Sequence, residues 1–137
     1  MSLFFSMETM GRADKVILPL MRLIDKSLKD IDIKNYTKDI DSIGIIINCF
    51  NKKSLDEGFG KPRKYISYKQ RFADIRLNIS YEELMSADKE RQYEMVKQNI
   101  YDSIMVVDEK LNKKKGCSFD GERMIADIEA KLKDLKI

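Results

Sequence analysis

The chain has 137 residues, 43% hydrophobic and 36% charged, with 26 Lys and Arg against 23 Asp and Glu for a net charge of +3. That balance excludes a disordered chain, which would need fewer apolar residues or a stronger net charge, and it creates no field that demands a polyanionic partner. The absence of histidine removes Cys/His zinc sites and the usual imidazole base.

The length suits one domain, residues 1–137, with its own hydrophobic core. Leu3–Phe5 is too short for a signal core, and the apolar run Val16–Ile24 is interrupted by Pro19 and Arg22. No stretch approaches the ~18 apolar residues of a membrane helix. Cys49 and Cys117 are the only cysteines and lack CxxC spacing, which fits a reduced, cytoplasmic protein better than a disulfide scaffold. Cys49, inside an apolar run, reads as a small core residue.

In chain order, "LFFSME" (3–8) predicts a short strand ended by Gly11. Apolar residues at 13, 16, 17, 20, 24 and 28 then mark an amphipathic helix, with Asp14 able to cap or charge its start and Pro19 expected to kink it or to mark its true beginning. "DSIGIIINCF" (41–50) is β-branched and continuous, as a buried central strand requires. Residues 51–62, with Gly58, Gly60 and Pro62, predict a flexible loop. Lys64–Lys69 and Phe72–Ile79 follow as strands, the second alternating Ala73, Ile75, Leu77, Ile79 against Asp74, Arg76, Asn78. Ser80 and Glu83 have capping-box spacing. A pause near Ser86–Asp88 precedes a long helix with Tyr93, Val96, Ile100, Ile104, Val107 and Leu111 on one face. Asp120 caps a last helix that turns Met124, Ile125, Ile128, Leu132 and Leu135 inward. The expected fold is α+β in the order β-α-β-β-β-α-α: an antiparallel sheet of about four strands with about three helices packed mainly on one face.

Charge is unevenly placed along this order. Residues 1–60 carry nine basic and nine acidic side chains, residues 61–80 six and one, residues 81–111 four and eight, and residues 112–137 seven and five. A neutral body therefore bears one basic ribbon followed by one acidic helix.

Catalytic patterns are missing. "DEGFGKPRK" (56–64) has two glycines but neither phosphate-loop nor dinucleotide-fold spacing, and no GxSxG elbow occurs. The carboxylate pairs Glu82/Glu83, Asp108/Glu109 and Asp39/Asp41 read as surface charge, since adjacent helical side chains diverge by about 100°. The sequence predicts a non-enzyme with no cofactor and no metal site.

The ribbon "KPRKYISYKQRFADIRLNIS" (61–80) interleaves Tyr65, Tyr68 and Phe72 with its charges. It can be the wet face of a sheet, a protein-docking surface, or a nucleic-acid grip over 61–76. Tyr and Arg are the residues that most often dominate protein interfaces. That favours Arg63, Tyr65, Tyr68, Lys69 and Arg71 as partner-binding residues within a contact region 56–71, and makes the acidic helix face at Glu90 and Glu94 the second choice. Glu8 and Arg76, each in a predicted strand, are expected to form a structural ion pair.

The pieces "FSMET" (5–9), "GRADK" (11–15) and the helix after it, "YISYKQRFADIRLNISYEEL" (65–84), "QNIYDSI" (98–104) and "FDGERMIADI" (119–128) run in an order that covers most of the chain. Together they resemble the bacterial immunity proteins found beside polymorphic or contact-dependent growth-inhibition toxins, in the type of immunity family forty-four. The resemblance implies a non-enzymatic, cytoplasmic protein that binds one cognate toxin domain and blocks its active site or its access to substrate. It leaves the toxin's chemistry and the oligomeric state open. Several immunity proteins of basic nucleases are acidic, whereas this chain is slightly basic. The alternative is a small nucleic-acid-binding module.

Overall fold

Strong local signals set most of the elements. The computed structural model describes residues 3–9 and 12–135, with the side chains of residues 4, 5, 8, 9 and 12–14 outside the description. Strand β1 (Leu3–Thr9) leads into helix α1 (Arg12–Ser27), then a single 3₁₀ turn (Ile33–Asn35) and strand β2 (Ser42–Cys49). A short helix α2 (Lys52–Asp56) precedes the hairpin β3 (Arg63–Ser67) and β4 (Phe72–Asn78), and helices α3 (Tyr81–Ser86), α4 (Lys89–Lys113) and α5 (Gly121–Leu132) follow.

Side-chain caps mark the later boundaries. Ser80 accepts from the Glu83 amide to start α3, Asp88 from Arg91 to start α4, and Asp120 from Arg123 to start α5. The break between α3 and α4 follows, because two N-caps eight residues apart leave no room for one continuous helix. Gly11 lies outside the described residues, as does the side chain of Asp14, whose backbone lies within the first turn of α1.

The sheet is mixed, with order β1-β2-β4-β3. The expected antiparallel sheet holds only for β3 with β4; β1 runs parallel to β2, and β2 parallel to β4. The cause is the crossovers. Helix α1 carries the chain back across the sheet so that β2 starts beside the start of β1, as parallel pairing requires. Residues 50–62 carry it past one strand position, and β4 of the hairpin then fills the gap next to β2.

Alternation along β2 and β4 decides which side is covered. Ile43, Ile45, Ile47, Ala73 and Ile75 are buried, and α4 and α1 pack over them with Ile100, Ile104, Ile17 and Ile24. Gly44, Ile46, Asp74 and Arg76 point to the other side and keep partial exposure.

Three further expectations need correction. Five helices replace about three, because the loop holds α2 and the pause splits α3 from α4. Helix α1 runs through Pro19. Both Pro19 and Lys15, whose carbonyl a normal residue there would bond, are exposed, so water takes the place of the lost donor. Its stripe is also rotated: Val16 is exposed while Met21 joins Ile17, Leu20, Ile24 and Leu28 inside.

Polar side chains on the inner face of α4 find partners. Asn99 Nδ2 donates to Leu77 O at 3.1 Å, beyond which β4 ends, and Gln92 Nε2 donates to Leu84 O at 3.1 Å in the last turn of α3. These two bonds tie α4 to β4 and to α3. No helix among the described residues is long and apolar enough to cross a membrane.

Candidate docking face

Among the described residues no helix covers the second side of the sheet. Its centre is built from two register rows: Gly44, Asp74 and Tyr65 in one, and Ile46, Arg76 and Arg63 in the next. Gly44 leaves open space over the middle of β2, since a Cβ there would meet only the Ala73 carbonyl at an ordinary 3.7 Å.

Asp74 lies between two arginines. Arg63 Nε stands 3.2 Å from its Oδ2 and Arg76 Nε 3.2 Å from its Oδ1. Two guanidiniums therefore meet at one carboxylate. The Arg63 guanidinium also sits 4.8 Å above the Tyr65 ring, and Tyr65 meets Phe72 edge to face at 5.9 Å.

The loop expected to be flexible is tied over the upper end of this face. Asn48 and Asn78, in adjacent strands, donate through Nδ2 to Lys61 O at 3.2 Å and Gly60 O at 2.8 Å. Asn51 caps α2 by accepting from the Ser54 amide at 2.9 Å. Gly60 has φ +69°, and a Cβ on it would fall 2.8 Å from Phe50 Cδ2 and 2.9 Å from Leu55 Cδ2. Only glycine fits both the backbone and the space. The result is a small apolar shelf in which Phe59, stacked on Phe50 at 5.8 Å, is 56% exposed and Leu55 is 42% exposed.

The structure brings two of the five first-choice residues together, Arg63 and Tyr65. The other three lie in the turn at the opposite end of the hairpin. Tyr68 is half exposed, with Lys114 Nζ 4.3 Å from its ring centre, and Lys69 is exposed at the tip. Burial, then the nearby Cys117, raises the Tyr68 pKa. Arg71 has φ +62° and bolts the turn to the segment before β2: its guanidinium donates to both oxygens of Asp41 at 3.1 Å and to Lys38 O at 2.6 Å. The hydrogen bond from Arg71 holds the Asp41 carboxyl below its ordinary pKa.

Glu8 was expected to pair with Arg76. Its side chain lies outside the described residues. Arg76 is engaged by Asp74. Asp74 and Leu55 escaped the sequence reading, although the alternation in 72–79 already put Asp74 beside Arg76 on the polar face; Phe59 falls inside the expected contact region 56–71.

The second-choice residues lie elsewhere. Glu94 pairs with Lys97 at 3.1 Å, and Lys97 in turn covers the Tyr93 ring at 4.7 Å. Glu90 lines a shallow depression with Asp88, Arg91, Tyr93, Glu94 and Leu135. A neighbouring groove between the end of β4 and α4 is edged by Glu83, Glu94 and Asp102, with Glu83 paired to Arg91.

The carboxylates that might have served catalysis hold the fold. Asp39 accepts from the Ser118 amide at 2.9 Å, Asp108 from the Gly121 amide at 2.9 Å, and Glu109 pairs with Lys113 at 2.7 Å. No group of three or more His, Cys, Asp or Glu among the described residues is placed to hold a metal ion. Cys49 is buried and Cys117 partly so, both as free thiols.

A family model described as immunity protein 44 matches residues 1–134. No curated protein and no solved structure matches the chain.

Proposed function

The chain belongs to the immunity protein 44 family, and from that premise we propose that it binds and neutralises a cognate bacterial toxin domain without catalysing a reaction. It acts in the cytoplasm by covering the toxin's active site or its route to substrate, in the setting of contact-dependent or polymorphic-toxin competition. The family match, which spans nearly the whole chain, carries this reading.

The docking face is the open side of the sheet with the loop above it. Arg63 and Tyr65 lie at its centre, Tyr68 and Lys69 extend it along the turn, and Arg71 supports it by fixing that turn. Arg76 and Asp74 join them as a charged cluster. Arg and Tyr in a rigid, partly apolar setting are the residue types that carry interface energy. Its charged groups supply steering and partner choice.

The nucleic-acid alternative is weaker on this geometry. A base would need the flat of an aromatic ring, and one face of Tyr65 is already occupied by Arg63. Asp74 also sits where a phosphate would have to approach.

The test is co-expression with the C-terminal domain encoded by the reading frame upstream of this gene. Killing by that domain alone, survival when this chain is present, and co-purification of the two are the expected results. A non-toxic neighbour, or toxicity that this chain does not relieve, contradicts the proposal.

A further inference from the structure

We infer that the chain forms a twofold dimer through the free edge of β1, which pairs antiparallel with the β1 of a second copy. This surface lies apart from the proposed toxin-docking residues, and the dimer stands or falls independently of the toxin-binding reading.

The two edges of the sheet differ in how they are protected. Strand β3 (Arg63–Ser67) has five residues, follows Pro62, and opens with the exposed Arg63 and Lys64. Shortness, charge and a flanking proline are devices that keep an edge from pairing. Strand β1 (Leu3–Thr9) has seven residues, "LFFSMET", with no Pro, Lys or Arg and with Glu8 as its single charge. It keeps one unbroken register with β2 from Leu3 to Thr9, so no bulge turns it away. Its other side has no strand neighbour among the described residues. A regular, mainly apolar edge of this kind is a template for another strand.

The ground beside that edge suits a second copy. Helix α1 packs on β1, and Met7, Leu18 and Met21 line the groove between them. Leu18 is 38% exposed there. Arg22 and Asp25 line the same groove, are exposed, and have no ion-pair partner among the described residues. Opposite charges one turn apart on a helix are complementary to themselves. A twofold that sets β1 antiparallel to its copy sets α1 antiparallel to its copy as well, and brings Arg22 of each chain toward Asp25 of the other. Paired strands lie ~4.8 Å apart, so helices seated just inside both edges fall near the ~8–10 Å at which helices pack. Leu18 from the two chains then closes the seam. The axis stands normal to the sheet, so the two open faces point the same way. Each β3, with Arg63 and Tyr65, stays at an outer end of the joined sheet.

Sedimentation equilibrium of the full chain alone, up to about 200 μM, tests this. A mass rising to twice 16.0 kDa is expected. Leu18→Arg should weaken the dimer by tenfold or more. Arg22→Asp and Asp25→Arg should each weaken it by a similar factor, and the double variant Arg22→Asp/Asp25→Arg should restore it. All three positions are exposed, so the monomer's fold is expected to survive each change. A monomer at every concentration overturns the inference. So does a dimer indifferent to Leu18→Arg and to the charge swap. If the β1 amides gain exchange protection only when the toxin domain is added, the edge belongs to a toxin strand and the dimer is likewise overturned.

Discussion

The open sheet face and the acidic side of α4 are both charged surfaces, yet they are built differently. On the sheet, two arginines crowd one carboxylate, an aromatic ring lies under one of them, and the backbone below is paired on both sides in β2 and β4. On the helical side, three acids pair with exposed or flexible cations at the surface: Glu83 with Arg91, Glu94 with Lys97, Glu109 with Lys113. Net charge per segment makes the two look equivalent. Rigidity separates them, because side chains already held in place lose less entropy when a partner docks.

The largest expected effect divides the two regions directly. Arg63→Ala/Arg76→Ala should cost about 2 kcal/mol or more of partner affinity. Glu90→Ala/Glu94→Ala should change it by less than ~0.5 kcal/mol. Titration calorimetry on both variants gives the comparison, and equal losses would break it.

A third place, remote from both, serves as a control on stability. The Tyr36 hydroxyl donates to Asp127 at 2.6 Å, and burial followed by that bond raises its pKa to about 12; burial likewise raises Tyr101 to about 12. Both folded values lie above the unfolded value of about 10, so the native state keeps the protons longer. Stability is therefore fully present below pH ~10 and is lost as pH rises toward ~12, by up to about 2–3 kcal/mol for each tyrosine. Tyr36→Phe should flatten that loss in denaturant titrations across this window. Partner affinity at neutral pH should not follow it.

Gly60→Ala tests the loop that frames the sheet face. The added Cβ must occupy φ +69° and push against Phe50 and Leu55, which should destabilise the loop by about 1–2 kcal/mol. Affinity should fall more than the melting temperature does. Arg71→Ala should do the reverse, lowering the melting temperature while leaving affinity within about twofold of the starting value. The supporting pair also predicts an acid limit. Since Arg71 lowers the Asp41 pKa, its contribution is present above the unfolded carboxylate value and disappears as pH falls through the folded one. Glu94→Ala, at the small end, should alter stability by only a few tenths of a kcal/mol, as exposed helical pairs do.

Local chemistry made much of the fold legible. The alternation of 72–79, the cap at Ser80, the pause at Ser86–Asp88 and the long apolar face of α4 are short-range patterns, and each appears where the residues put it. Strand direction was not legible, because it depends on how far α1 and residues 50–62 carry the chain, and no residue encodes that locally. The loop was misjudged for a related reason. Gly58, Gly60 and Pro62 do signal irregular backbone, but the bonds that fix it come from Asn48 and Asn78 in two different strands. Of the site, Arg63 and Tyr65 were visible by residue type. Asp74 was passed over because its significance lies in having arginines on two strands beside it, which only the β3–β4 register reveals.

The most direct test of the central claim is amide hydrogen exchange of the full chain, alone and with the toxin domain encoded beside its gene. The loop 57–62 and edge strand β3 have backbone open to solvent and should report contact most clearly. Slower exchange across 57–66 on adding the toxin, with 83–98 unchanged, is the predicted result. Protection confined to 83–98 would contradict a docking site on the open face of the sheet.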